Sequence, residues 1–322
     1  MITLNAFNDS EIQKISNDKI NYINGILVQV PANSDKNFNF GYMLFIPEEI
    51  SNNTTLIVEG ANTGHCADME TAKQDVIDEV KSFFSLIYRW NETTNFPILT
   101  PIFPRIFANG KPIYTHMLTS DVLRCESHGL TRIDKQLIEM INDAKERLLK
   151  SGIFLDEKII IDGFSASSKF ANRFTLLHPE VVKLAIGGGI SGCLTLPIRE
   201  INGEKLFYPV GIGDLPEITD EKIKEFLDVK QFYYMGMNDT NDPFAIDEVR
   251  KGPIYSDIIS DSEAAQLYKF LGADMLGSRW TKTQEFYRKL GCNVEFGSYE
   301  GEGHRPHAAS SKVISLLEQN LS

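Results

Sequence analysis

Two hydrophobic periods run along this chain and alternate. Short apolar runs of four to nine residues recur between turn-forming clusters, and longer stretches with a helical stripe separate them. Ile26 to Val30 and Phe38 to Ile46 read as strands, and the Asn33-Ser34-Asp35-Lys36-Asn37 cluster between them predicts a hairpin-like turn. Further strands are predicted at Thr55–Glu59, Pro97–Phe103, Ile159–Ile161, Lys183–Ile186, Gln231–Met235 and Asn293–Tyr299. From about Glu70 to Trp90, Val76, Val80, Phe83, Phe84 and Ile87 form a helical stripe. Thr131 to Lys150 is strongly amphipathic, with Ile133, Leu137, Met140, Ile141, Ala144 and Leu148 on one face. Helices are also predicted from about Ala166 to about Leu177, over roughly Trp280–Leu290 and over Ser310–Asn320, with a helical stretch at Asp247–Phe270.

Strands that alternate with helices imply a mainly parallel sheet covered on both faces, an α/β class. No internal repeat or low-complexity segment interrupts it. We read residues 1–322 as a single domain, with lid-like insertions at 104–130 and 192–278.

One junction between the two periods carries chemistry. The apolar run Ile159–Ile161 ends in Gly163-Phe164-Ser165-Ala166-Ser167, and a helix follows at once. A strand, a sharp turn with a central serine and a helix make a nucleophile elbow. The turn demands small residues two places before and after the serine, here Gly163 and Ser167. The competing reading is that Ser165 simply caps the helix.

A serine hydroxyl needs a base within reach, and the base needs an orienting acid. Histidine suits the first role because its ordinary pKa lies near neutral pH. Of six histidines, His304 lies in a glycine-flanked loop straight after the last predicted strand; His307 competes, and His178 reads as a helix C-terminal cap. Asp239 follows the Gln231–Met235 strand, with Asp242 as the alternative. The order Ser165, Asp239, His304 places each candidate after a strand. Two backbone N–H groups should hold the developing oxyanion. Ala166 is expected to give one, and Ala61 or Asn62, in the Gly60–Gly64 loop, the other.

With these residues the chain resembles the α/β-hydrolase superfamily from Ile26 onward. It is also similar to bacterial members of uncertain substrate, through Asn62-Thr63-Gly64, Phe103-Pro104-Arg105 and Tyr114-Thr115-His116. The resemblance implies a sheet of about eight strands with an antiparallel start, and metal-independent hydrolysis of an ester or amide. Two departures stand out: Ser167 where glycine is usual, and no His-Gly-Gly-Gly segment. Arg105, Tyr114 and His116 are read as pocket-lining, with Arg105 able to grip a carboxylate through its planar fork.

The remaining observations remove rivals. A net charge of −12 argues against nucleic acid and against an anionic membrane surface. Cys66, Cys125, Cys193 and Cys292 are too scattered for a zinc or redox motif, and suggest a reducing interior. The N-terminus lacks the basic and apolar regions of a signal peptide, and no run approaches the ~18 apolar residues of a span. A cytoplasmic protein is expected. Gly187-Gly-Gly-Ile-Ser-Gly192 matches a dinucleotide fingerprint, but late in the chain and with Pro197 close behind. Lys169 lies four residues after Ser165, so the elbow carries no S-x-x-K motif, and His304-Arg-Pro-His307 lacks the glutamate of a zinc helix. The expectation is a serine hydrolase of a small ester or amide, needing no metal or organic cofactor. The alternative is a non-catalytic binding protein on the same fold.

Overall fold

The computed structural model describes residues 7, 25–50, 53–66, 68–80, 96–108, 111–247, 252–253 and 258–320. Eight strands form the main sheet: β1 (Gly25–Val30), β2 (Tyr42–Pro47), β3 (Ile57–Glu59), β4 (Ile98–Pro101), β5 (Ile159–Phe164), β6 (Val182–Gly188), β7 (Lys230–Gly236) and β8 (Val294–Tyr299). Their spatial order is β1-β2-β4-β3-β5-β6-β7-β8. β2 pairs antiparallel with β1 and β4; every other pairing is parallel. The antiparallel start is the hairpin expected at Asn33–Asn37. There Ser34–Lys36 forms one turn of 3-10 helix, with the Asn33 side chain accepting from the Lys36 amide.

The central strands are apolar on both faces because both faces are covered. Ile159 and Ile161 of β5 enter one core cluster and Ile160 the other; Tyr233 and Phe232 of β7 divide the same way. Helices α1 (Met69–Val80) and α7 (Ser310–Glu318) cover one face, contributing Val76, Ile77, Val313 and Leu317. Helices α2 (Ile133–Lys150), α3 (Ala166–Leu177), α4 (Asp220–Asp228), α5 (Asp261–Phe270) and α6 (Trp280–Lys289) belong to the larger cluster on the other face. Each fully buried isoleucine on β5 contributes about 1.5–3 kcal/mol by leaving water.

Three readings need adjustment. Phe83, Phe84 and Ile87 of the first helical stripe lie outside the described residues. In the stretch Asp247–Phe270, expected to be helical, Ile246–Asp247 pairs antiparallel with Gly252–Pro253, and the described helix, α5, runs from Asp261. The boundary has a local cause: the Ser260 hydroxyl accepts from the Glu263 amide while Glu263 accepts from the Ser260 amide, a reciprocal cap. Finally, the insertion expected at 192–278 contains α4, capped by the Thr219 hydroxyl, and is divided by β7, a strand of the main sheet.

His178, at the C-terminal end of α3, ties that helix to α2. Its Nε2 meets Asp134 Oδ2 at 2.9 Å, and Arg132 holds the same carboxylate at 2.9 and 2.5 Å. Burial disfavours a charged Asp134, but the bonds from Arg132 and His178 outweigh it and hold its pKa well below the usual carboxylate range. Burial likewise opposes a charged His178, and the bonds to Asp134 and Glu180 outweigh it and raise its pKa. Asp134→Asn should therefore cost about 2–3 kcal/mol in urea unfolding, by stripping the buried carboxylate from Arg132 and His178. A loss under about 0.5 kcal/mol, the size of an ordinary surface substitution, is the result that speaks against this reading.

Candidate active site

Ser165 stands at the β5–α3 junction with φ 60° and ψ −119°. An L-residue pays strain of about 1–3 kcal/mol for such backbone. Neighbouring atoms enforce it. A Cβ on Gly163 would lie 2.3 Å from the Ser167 carbonyl oxygen, so only glycine fits there. The Ser165 side chain makes no cap hydrogen bond to α3, against the helix-cap reading.

Ser167, where glycine is usual, is a working part of the turn. Its hydroxyl donates to the Phe164 carbonyl at 3.0 Å and accepts from the Phe164 amide at 3.0 Å. Asn62 closes the arrangement. Its Nδ2 donates to Phe164 O at 2.8 Å and Ser167 Oγ at 2.9 Å, and its Oδ1 accepts from the Ser167 amide at 2.9 Å. The Asn62 side chain thus clamps the loop after β3 onto the elbow. Its own amide donates to both oxygens of Glu79, each at 3.0 Å. Asn62 is therefore a clamp with an engaged N–H, which leaves Ala61 and Ala166 as the amides of interest. As the first residue of α3, Ala166 has no intrahelical acceptor for its N–H.

Asp239 follows β7 and His304 follows β8, and the two strands pair in parallel. That pairing brings the loops together. His304 Nδ1 lies 2.7 Å from Asp239 Oδ2, and Asp239 Oδ1 accepts from the Asn241 amide at 2.8 Å. Asp239 is buried, at 3% exposure. With Nδ1–H donating to the carboxylate, Nε2 is an acceptor, and Asn241 Nδ2 lies 3.0 Å from it. The His304 ring packs on Phe164 at 4.7 Å between centroids. The alternatives lie elsewhere: Asp242 is gripped by both terminal nitrogens of Arg279, and His307 is exposed on a 3-10 turn.

Two clefts meet at Ser165. One, of about 360 Å³, is lined by Ser165, His304, Glu59, Glu79 and Pro306 among others. The second, of about 260 Å³, is lined by Ser165, Ala166, Lys169, Arg105, Ser191 and Asn241 among others. Arg105, one of the residues read as pocket-lining, lines this second cleft. Tyr114 and His116 do not: Thr115 and Met117 reach this cleft, while Tyr114 and His116 are buried behind it. His116 Nε2 meets Thr63 Oγ1 at 2.9 Å and its ring packs edge-on against Tyr114. It braces the same loop that Asn62 clamps.

Burial, with Arg105 nearby, pushes the His116 pKa down to about 3. The native state keeps it neutral while the unfolded chain protonates near 6.5. Its contribution is present above that pH and is lost progressively on acidification toward 3, by at most about 1.4 kcal/mol per unit. His116→Asn should flatten stability between pH 6 and pH 4, measured by urea unfolding at each pH. An unchanged slope would assign the acid sensitivity to other groups.

Gly187–Gly192 opens no helix. Its glycines make room for packing: a Cβ on Gly188 would meet the Tyr234 ring at 2.1 Å, and one on Gly189 would meet His304 at 2.8 Å. Among the described residues, no group of three or more His, Cys, Asp or Glu side chains is placed to hold a metal ion, and no helix is long and apolar enough to cross a membrane.

No protein-family model matches the chain, and no curated protein does. Among solved structures it is similar to poly(aspartic acid) hydrolase-1 from Sphingomonas sp. KT-1, at 16% identity and a TM-score of 0.56, over 92% of this chain and 99% of that one. It is also similar to a poly(3-hydroxybutyrate) depolymerase from Bordetella parapertussis, at 15% identity and a TM-score of 0.53, over 93% of this chain and 90% of that one. Likeness of this kind speaks for architecture, and together with the strand order it shows that the chain has the α/β-hydrolase fold.

Proposed function

We propose that this chain is a serine hydrolase that cleaves a small ester or amide through an acyl-enzyme. The observation that carries the reading is the 2.7 Å contact between His304 Nδ1 and Asp239 Oδ2, with His304 lining the same cleft as Ser165. The solved structures named above are a hydrolase and a depolymerase, which supports the reaction class.

In this mechanism Ser165 Oγ attacks the substrate carbonyl carbon while His304 Nε2 takes its proton. Nε2 must exchange its contact with Asn241 for one with Ser165 at that moment. Asp239 fixes the tautomer by accepting from Nδ1–H and stabilises the imidazolium that forms. The oxyanion is held by the Ala166 amide and a second amide from the Gly60–Gly64 loop, where we favour Ala61 because Asn62 is engaged by Glu79. The carbon–heteroatom bond then breaks, the leaving group takes the proton from His304, and the acyl group stays on Oγ. Water repeats the cycle to release the acid. Segment 104–130 and the parts of 192–278 outside β7, which supply Arg105, Met117, Pro243 and Ile258 to the second cleft, are proposed as its cover within one domain.

The test is labelling by a fluorophosphonate, mapping of the modified residue, and turnover of short p-nitrophenyl esters. Label on Ser165 with turnover is expected. Neither label nor turnover would leave a binding protein built on a hydrolase fold.

A further inference from the structure

The two clefts that meet at Ser165 differ in charge. The one containing His304 also contains Glu59 and Glu79. Among the described residues, the lining of the other holds no acidic side chain and two cationic ones, Lys169 and Arg105, in a chain whose net charge is −12.

Lys169 is the unusual member. It lies one turn along α3 from Ser165 and is 3% exposed. Lysine is almost never buried this deeply without a partner, because desolvating an ammonium is costly. Its Nζ donates to the Ile190 carbonyl, lies 3.9 Å from Cys193 Sγ and sits over the Phe244 ring at 4.8 Å. Among the described residues no carboxylate forms an ion pair with it; Asp242 pairs with Arg279 instead. Packing alone does not call for a charge here, since a methionine would fill the same straight space. Burial lowers the Lys169 pKa to about 8; Cys193 and Asp242 oppose that shift, and Arg173 and Arg279 add to it. The side chain is therefore still mostly an ammonium at neutral pH.

We infer that the acyl half of the substrate ends in a carboxylate, received by Lys169 and Arg105 in the cleft of about 260 Å³. The inference rests on the serine hydrolase reading above. His304 protonates the leaving group, so the leaving group departs on the His304 side and the acyl chain occupies the other cleft. One helical turn is about 5.4 Å. That spacing fits a short dicarboxylic half-ester, with two to four carbons between its carbonyl groups.

The experiment compares kcat/KM for mono-p-nitrophenyl glutarate and p-nitrophenyl butyrate in the wild type, Lys169→Met, Lys169→Arg and Arg105→Gln, alongside fluorophosphonate labelling of each. The wild type should favour the glutarate ester by about tenfold or more, and Lys169→Met and Arg105→Gln should each cut that ratio by about tenfold, mainly through KM. Lys169→Arg should keep most of it. A wild type that prefers the butyrate ester, or a Lys169→Met variant that slows both esters equally, overturns the inference. With Ser165 still labelled, either result leaves the hydrolase reading standing. Loss of both labelling and turnover in the wild type brings down the two together.

Discussion

Ser165→Ala should lower kcat/KM on any turned-over ester by roughly 10⁴- to 10⁶-fold, the scale seen when a catalytic serine is removed. Its melting temperature should barely move, because alanine keeps the Cβ and the Ser165 side chain makes no cap hydrogen bond to α3. Ser165→Gly separates the two roles. It removes the nucleophile equally, yet it relieves the cost of φ 60° for an L-residue. Against the entropy that glycine loses on folding, a net gain of about 1 kcal/mol remains. A more stable but inactive Ser165→Gly would identify strain maintained for function. Substantial residual activity in either variant, under conditions that exclude contaminating hydrolases, would remove Ser165 from the reaction.

Much of this arrangement was legible in the sequence, for identifiable reasons. Buried strands such as Ile159–Ile161 announce themselves because both faces must be apolar. Gly163 marks the elbow because the Ser167 backbone leaves no room for a Cβ. Asp239 and His304 could be placed because each follows a strand, and parallel pairing of β7 with β8 brings such loops to one edge. What stayed hidden depends on side-chain direction in irregular backbone. Tyr114, Thr115 and His116 lie in a loop, where no period says which of them faces the cleft; Thr115 does. Asn62 carries no motif beyond its turn, yet its side chain joins two loops far apart in sequence. Lys169 was visible only as a residue at the wrong spacing for another mechanism. Its burial follows from α3 being packed on nearly all sides, with Ser167, Ser168, Asn172 and Arg173 buried alongside it. The start of α5 was missed although a signal for it stands in the sequence: Ser260-x-x-Glu263 matches a capping box, and helix was expected across Asp247–Phe270 instead.

His304→Ala should be about as damaging as Ser165→Ala, because an unactivated hydroxyl is a poor nucleophile and the members of a triad act as a unit. The double variant should therefore be little worse than either single one. Asp239→Asn should cost less, roughly 10³- to 10⁴-fold. An amide there can still meet Nδ1, but it favours the wrong tautomer and cannot stabilise the imidazolium. The neighbouring contacts sharpen the comparison. Asp242 is committed to Arg279, so Asp242→Asn should appear first as lost stability, with the ester kinetics much less affected. His307→Ala, an exposed position, should leave the rate within a few fold of wild type. Measuring kcat/KM for all four variants on one ester, with urea unfolding beside it, ranks them directly. If Asp242→Asn or His307→Ala slows the reaction more than its Asp239 or His304 counterpart, the acid or the base moves to that residue. The elbow and the fold would stand unchanged.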